Sequence, residues 1–121
     1  ISLLFALDRQ LDDMLAEGIE ARFARHLAMR DMTISWAEGH GFELLAPEGY
    51  RSPTVTCISN NLGIDVAALN KFLRERGMIL SNGYGSRLKN VTFRIAHMGD
   101  LFPADMEELF ANVDDYLASL A

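Results

Sequence analysis

The sequence predicts an α+β domain: a long N-terminal helix leading into a small, largely antiparallel sheet covered by helices on one face. Three observations predict it. Leu4, Leu7, Leu11, Leu15, Ile19, Phe23, Leu27 and Ile34 recur at helical spacing, with acids and arginines between them. The short apolar runs FELL (42–45), TVTCIS (54–59), MILS (78–81) and VTFRIA (91–96) are strand-sized and bounded by Gly, Pro or Asn. DVAALNKFLRERG (65–77) and the segment after Pro103 are amphipathic at helical period.

The first helical pattern runs from Ser2 to about Glu38. Gly18 interrupts it and predicts a bend or two consecutive helices. A continuous helix of that length reaches roughly 55 Å, more than so small a domain needs, so it is expected to brace something else. GHG (39–41) ends it, FELL forms a short strand, and APEGYRSP is a loop. TVTCIS is β-branched and reads as a buried strand. Asp65 is the expected N-cap of the next helix, Ile64 and Leu69 its hydrophobic staple, and Gly77 its C-terminal stop. MILS reads as a third strand and NGYGSRLKN as a glycine-containing loop. In the fourth strand Val91, Phe93 and Ile95 face one way, Thr92, Arg94 and Ala96 the other. Pro103 opens a final helix with Met106, Leu109, Phe110, Val113, Leu117 and Leu120 on one face.

The 121 residues suffice for one domain, and with half of them apolar the chain is a folding sequence. A net charge of -6 argues against nucleic acid or an anionic membrane as partner, since either needs a basic face. The single cysteine, Cys57, cannot form an internal disulfide, which fits a reducing cytoplasm. No apolar run approaches the ~20 residues of a membrane span, and no signal-peptide pattern precedes the first helix. The sequence opens at Ile1 without an initiator methionine, which suggests a processed start or a piece of something longer.

His26, His40 and His97 lack the short spacing of a metal site, and none is expected. Cys57 reads as a packed core thiol, and the paired acids along the helices as solvated faces. The loop around Gly83, Tyr84 and Gly85 could cradle an anion through its amides, or its glycines could simply serve the connection. Arg94 stands apart. A guanidinium cannot shed its charge, and its partial burial is costly unless an anion meets it. With 17 acids in the chain, an internal ion pair is the default, and a fork aimed at a ligand carboxylate is the sharper reading.

GYRSPTVT (49–56), GIDVAALNKFLRERG (63–77), SNGYG (81–85) and FRIAHMGD (93–100) resemble the C-terminal domain of class V pyridoxal-phosphate aminotransferases, in particular the alanine–glyoxylate and serine–pyruvate group. ISLLFALDRQLDDMLAEGIEARFARH (1–26) is similar to the helix leading from that family's large cofactor domain into the small one. The resemblance implies that residues 1–38 link to a large domain and residues 39–121 form the small one. It implies that Arg94 grips the α-carboxylate of an amino or 2-oxo acid, with Gly83, Tyr84 and Gly85 lining the entrance and His97 and Met98 serving packing. Ala96 stands where the family usually has glycine, and Phe102 where a capping Ser or Thr is common.

The same resemblance implies pyridoxal phosphate in the intact enzyme, bound to a lysine of the large domain. The only lysines here, Lys71 and Lys89, read as ordinary surface residues, so this chain is expected to hold no catalytic residue and no cofactor by itself. The implied substrates are small amino acids such as alanine or serine and 2-oxo acids such as glyoxylate or pyruvate. The apolar face of residues 3–34 is expected to drive homodimerisation or other self-association. The rival reading is a free-standing α+β ligand-binding or dimerisation module, which explains the long leading helix and FRIAHMGD poorly.

Overall fold

A computed structural model describes residues 1–121. The first helical pattern divides into α1 (Ser2–Glu17) and α2 (Ile19–Gly39). Gly18 between them adopts φ 90°, a backbone state that side chains disfavour, so the glycine is what lets the chain change direction there. No residue of α1 is buried, whereas α2 buries Arg22, Met29, Thr33 and Ala37.

The sheet comprises β1 (Glu43–Leu44), β2 (Val55–Ser59), β3 (Ser81–Asn82) and β4 (Thr92–Ala96). Their spatial order is β1–β2–β4–β3 and every pairing is antiparallel. The two long strands lie at the centre, with Thr56 opposite Ile95, Cys57 opposite Arg94 and Ile58 opposite Phe93. Thr56, Ile58, Phe93 and Ile95 point into the core with side chains of α2, α3 (Val66–Arg74) and α5 (Pro103–Ser119). Alternation places Val55, Cys57, Ser59, Arg94 and Ala96 on the opposite face, none of them buried, together with Thr92, which is buried. The layered arrangement is the predicted α+β one.

Trp36 ties α2 to α5. Its ring stacks on Phe110 at 5.1 Å and 8°, and its Nε1–H donates to Asp114 Oδ1 at 2.7 Å. The same carboxylate oxygen meets His40 Nε2 at 2.7 Å. Asp65 caps α3 by accepting from the Ala68 amide at 3.0 Å, and Ile64 and Leu69 are both buried beside it. Gly77, at φ 76°, closes that helix, with the Met78 amide returning to the Leu73 carbonyl at 2.9 Å.

Several expectations need correction. MILS does not form the third strand, because Met78 is used in that closure and the Leu80 amide donates to Asn70 Oδ1 at 3.0 Å. Sheet pairing therefore starts only at Ser81. The loop NGYGSRLKN contains a helical turn, α4 (Gly85–Leu88). Val91 lies outside β4 and is exposed, whereas Thr92 is buried and donates from Oγ1 to the Leu88 carbonyl at 3.1 Å. Cys57 is half-buried on the open sheet face rather than packed in the core, because Thr56 and Ile58 take the inward positions. In α5 the buried stripe continues through Tyr116, packed 5.4 Å from the Phe72 ring, and Leu120 is exposed. Phe102 offers no side-chain cap, but Asp105 accepts from its amide at 2.7 Å and so meets one of the otherwise orphan donors.

Asp65→Ala is expected to lower unfolding free energy by about 1 kcal/mol, and Asp65→Asn by much less, in urea titrations at neutral pH. Equal losses for the two would mean that the charge, not the cap bond, matters.

Candidate functional site

Arg94 lies in the middle of the central strand β4, with Cys57 of β2 on one side and Ser81 of β3 on the other. Because Phe93 and Ile95 are committed to the core, Arg94 must project from the open face. It is half-buried, and it forms no ion pair with any acid of the chain. Its Nε–H donates to the Asn82 carbonyl at 3.4 Å, and its guanidinium carbon lies 5.8 Å from the centroid of the exposed Tyr84 ring. The internal ion pair, the default sequence reading, is absent.

Arg94, Ile95 and Ala96 form one wall of a cleft of about 400 Å³. Met78–Ser81 and the first turns of α5, including Asp105 and Leu109, form the others. The cleft opens where β3 stops short, leaving the edge of β4 beyond Arg94 without a neighbouring strand. None of Gly83, Tyr84 and Gly85 forms part of the wall of this cleft. Tyr84 stands beside the arginine, and Gly85 adopts φ 70° at the start of α4. Gly83 has a packing reason: a Cβ there would sit 1.8 Å from the Leu88 carbonyl oxygen and 2.4 Å from Thr92 Oγ1.

A second charged cluster fixes the segment that follows β4. Arg22 reaches Glu17 at 3.0 Å and Asp100 at 3.2 Å. Arg25 pairs with Glu17 at 2.6 Å, donates to the Gly99 carbonyl at 3.0 Å and to that of Leu101, and stacks 4.4 Å above the Phe102 ring. The hydrogen bond from Arg25, joined by that from Arg22, holds the Glu17 carboxyl down at about 2. His97 is fully buried, with Nε2 2.8 Å from Thr56 Oγ1, and burial pushes its pKa down. It is therefore a neutral packing group at physiological pH, whereas Met98, expected to pack with it, is exposed.

No protein-family model matches the chain. An uncharacterized aminotransferase of Methanocaldococcus jannaschii is 37% identical over 99 residues, covering 82% of this chain and 26% of that protein. A 2-aminoethylphosphonate–pyruvate transaminase of Phocaeicola vulgatus is 31% identical over 106 residues, 86% of this chain and 29% of that one. The chain is an aminotransferase homologue. It matches a C-terminal portion of those enzymes and spans less than a third of their length. The crystal structure of an alanine–glyoxylate aminotransferase from Nostoc sp. shares the fold, with a TM-score of 0.80 and 24% identity over 88% of this chain and 29% of that one.

Lys71 and Lys89 are both exposed, and neither lines the cleft beside Arg94. No three His, Cys, Asp or Glu side chains gather as metal ligands, and no helix is long and apolar enough to cross a membrane. The Glu17–Arg22–Arg25–Asp100 cluster escaped sequence reading. Its ion pairs join residues 5, 8 and 78 positions apart, not the three or four that mark paired neighbours on one helix.

Because Glu17 titrates lower in the folded chain than its ordinary 4.5, its stabilisation is complete above that pH and is lost as pH falls toward about 2. Glu17→Gln is expected to melt below the parent at neutral pH, with the gap closing over that acid window in melts followed by circular dichroism. A gap that stays constant with pH would show that the carboxylate charge is not its source.

Proposed function

We propose that this chain is the substrate-carboxylate-binding part of a class V pyridoxal-phosphate-dependent aminotransferase. Residues 1–38 link to a large domain that supplies the cofactor lysine, and residues 39–121 form the small domain. The reaction moves an amino group from a small amino acid such as alanine or serine to a 2-oxo acid such as glyoxylate or pyruvate. The observation that carries this reading is the half-buried, unpaired guanidinium of Arg94 on an open sheet face, within FRIAHMGD. The pyruvate acceptor named for the 2-aminoethylphosphonate–pyruvate transaminase of Phocaeicola vulgatus supports the 2-oxo acid side of this reading. The lone cysteine, half-buried as a free thiol, supports a reducing, cytoplasmic setting.

The local chemistry suits the role. The Asn82 carbonyl occupies Nε–H, so the two terminal nitrogens of Arg94 remain for a carboxylate, which they can meet as a planar fork. That pairing fixes orientation as well as proximity. The chain alone has no lysine in position to carry the cofactor, so by this reading it does not transaminate without the rest of the enzyme.

Arg94→Ala in the full-length enzyme is expected to cost about 2–5 kcal/mol in kcat/KM for every carboxylate substrate. Melting of the domain should hardly change, because no internal pair is broken. Arg94→Lys should recover only part, since it keeps the charge and loses the fork. Unchanged kinetics in the alanine variant would remove Arg94 from the site.

The linking role predicts a second property. Leu3, Leu4, Phe5, Leu7, Leu11, Leu15 and Phe23 are all exposed, a stripe that isolated domains rarely tolerate. The 121-residue chain is expected to form dimers or larger species in light scattering, and Leu11→Glu with Phe23→Glu to shift it toward monomer. A sharp monomer at high concentration for the parent chain would count against this.

A further inference from the structure

The surroundings of Arg94 are built by three asparagines whose side chains the carboxylate reading does not use. Asn82 ends β3, and its Oδ1 accepts from the amides of Gly83 at 2.7 Å and Asn90 at 2.8 Å. Its Nδ2 donates to Asn90 Oδ1 at 2.8 Å. Asn90 is the one non-glycine residue with positive φ, 66°, a state asparagine accepts more readily than most residues. The Asn90 carbonyl accepts from Asn60 Nδ2 at 2.9 Å. Asn60 in turn braces the β2–α3 turn, exchanging hydrogen bonds with the Ile64 amide at 2.9 Å and carbonyl at 2.8 Å.

The loop between Asn82 and Asn90 is therefore closed at its base by a side-chain pair and anchored to the turn that follows β2. Backbone bonds already close the connection: Gly83 donates to the Thr92 carbonyl at 3.0 Å and Val91 to that of Leu88 at 3.2 Å. What the asparagine pair adds is orientation. It fixes the peptide after Asn82, whose carbonyl is the acceptor for Arg94 Nε, and it fixes the take-off of Tyr84 beside the guanidinium. With its Nε–H engaged, the arginine loses freedom about its last torsions and presents its terminal nitrogens in one direction.

We infer that Asn82 and Asn90 are positioning residues for Arg94, a clasp that aims its fork at the substrate carboxylate. The inference rests on the carboxylate reading for its purpose, but the clasp itself can be tested without it. Asn90→Gly is the informative variant, because glycine keeps the left-handed backbone and removes only the side-chain acceptor. Asn90→Asp retains an acceptor oxygen and is the conservative rescue.

In the full 121-residue chain, NMR of the Arg94 Nε–H is expected to show a resolved signal protected from exchange. Exchange should quicken in Asn90→Gly and slow again in Asn90→Asp, at nearly unchanged melting temperature. In the full-length enzyme, Asn90→Gly should lower kcat/KM for carboxylate substrates roughly tenfold, since small misplacements of a binding group are costly. In an Arg94→Ala background the same change should add nothing, the non-additivity of residues acting through one group. An Nε–H signal indifferent to Asn90→Gly overturns the clasp, and so does an effect that adds fully to that of Arg94→Ala. If Arg94→Ala alone leaves kinetics untouched, the carboxylate reading falls, and the NMR result still decides whether the clasp orients the arginine.

Discussion

The arrangement depends on how two nearly buried guanidiniums are neutralised. Arg22 and Arg25 have side chains only 8% and 10% exposed, and neither can give up its charge. Glu17, Asp100 and the carbonyls of Gly99 and Leu101 surround them. Glu17 belongs to α1, the arginines to α2, and the remaining partners to the segment that carries the chain from β4 to α5. One charge cluster therefore sets the angle at Gly18, the exit of the central strand and the start of the last helix. Removing one partner of such a group leaves an uncompensated buried charge, which is why these contacts constrain more than surface pairs do.

The central strand does two jobs because its side chains alternate. Phe93 and Ile95 are fully buried against the helices, and Phe93 meets Phe42 edge-on at 5.3 Å. Arg94, between them, is thereby held on the other face without any local preference of its own. Rigid neighbours make a better platform for a binding group than a loop does, since packing locks the backbone that carries it. His97 extends the same logic. Neutral and bonded to Thr56, it joins the ends of the two long strands just before the chain leaves the sheet.

Much of this was legible in residues whose signal is local. Gly18 marked the helix break, Asp65 the cap, Gly77 the stop, and the alternation in VTFRIA the two faces of β4. What failed depended on partners distant in sequence. MILS has the composition of a strand, but Asn70 claims the Leu80 amide, and β3 shifts to Ser81–Asn82. Cys57 lies in a strand that reads as buried throughout, yet the helices cover only one side. Arg94 was conspicuous as a charge in an apolar run, whereas the asparagines around it looked like ordinary turn residues. Their meaning comes from a left-handed backbone at Asn90 and a register between β3 and β4 that no short window contains.

The single tryptophan has an optical consequence. Trp36 sits at the α2–α5 seam, stacked on Phe110, with its indole N–H on the same Asp114 oxygen that meets His40. Separation of the two helices would strip the ring of its aromatic neighbour and its acceptor together. Intrinsic fluorescence of this protein is thus a one-site gauge of that seam, free of overlapping indole signals. Substituting His40 or Asp114, which share the indole's acceptor oxygen, would register in the same signal.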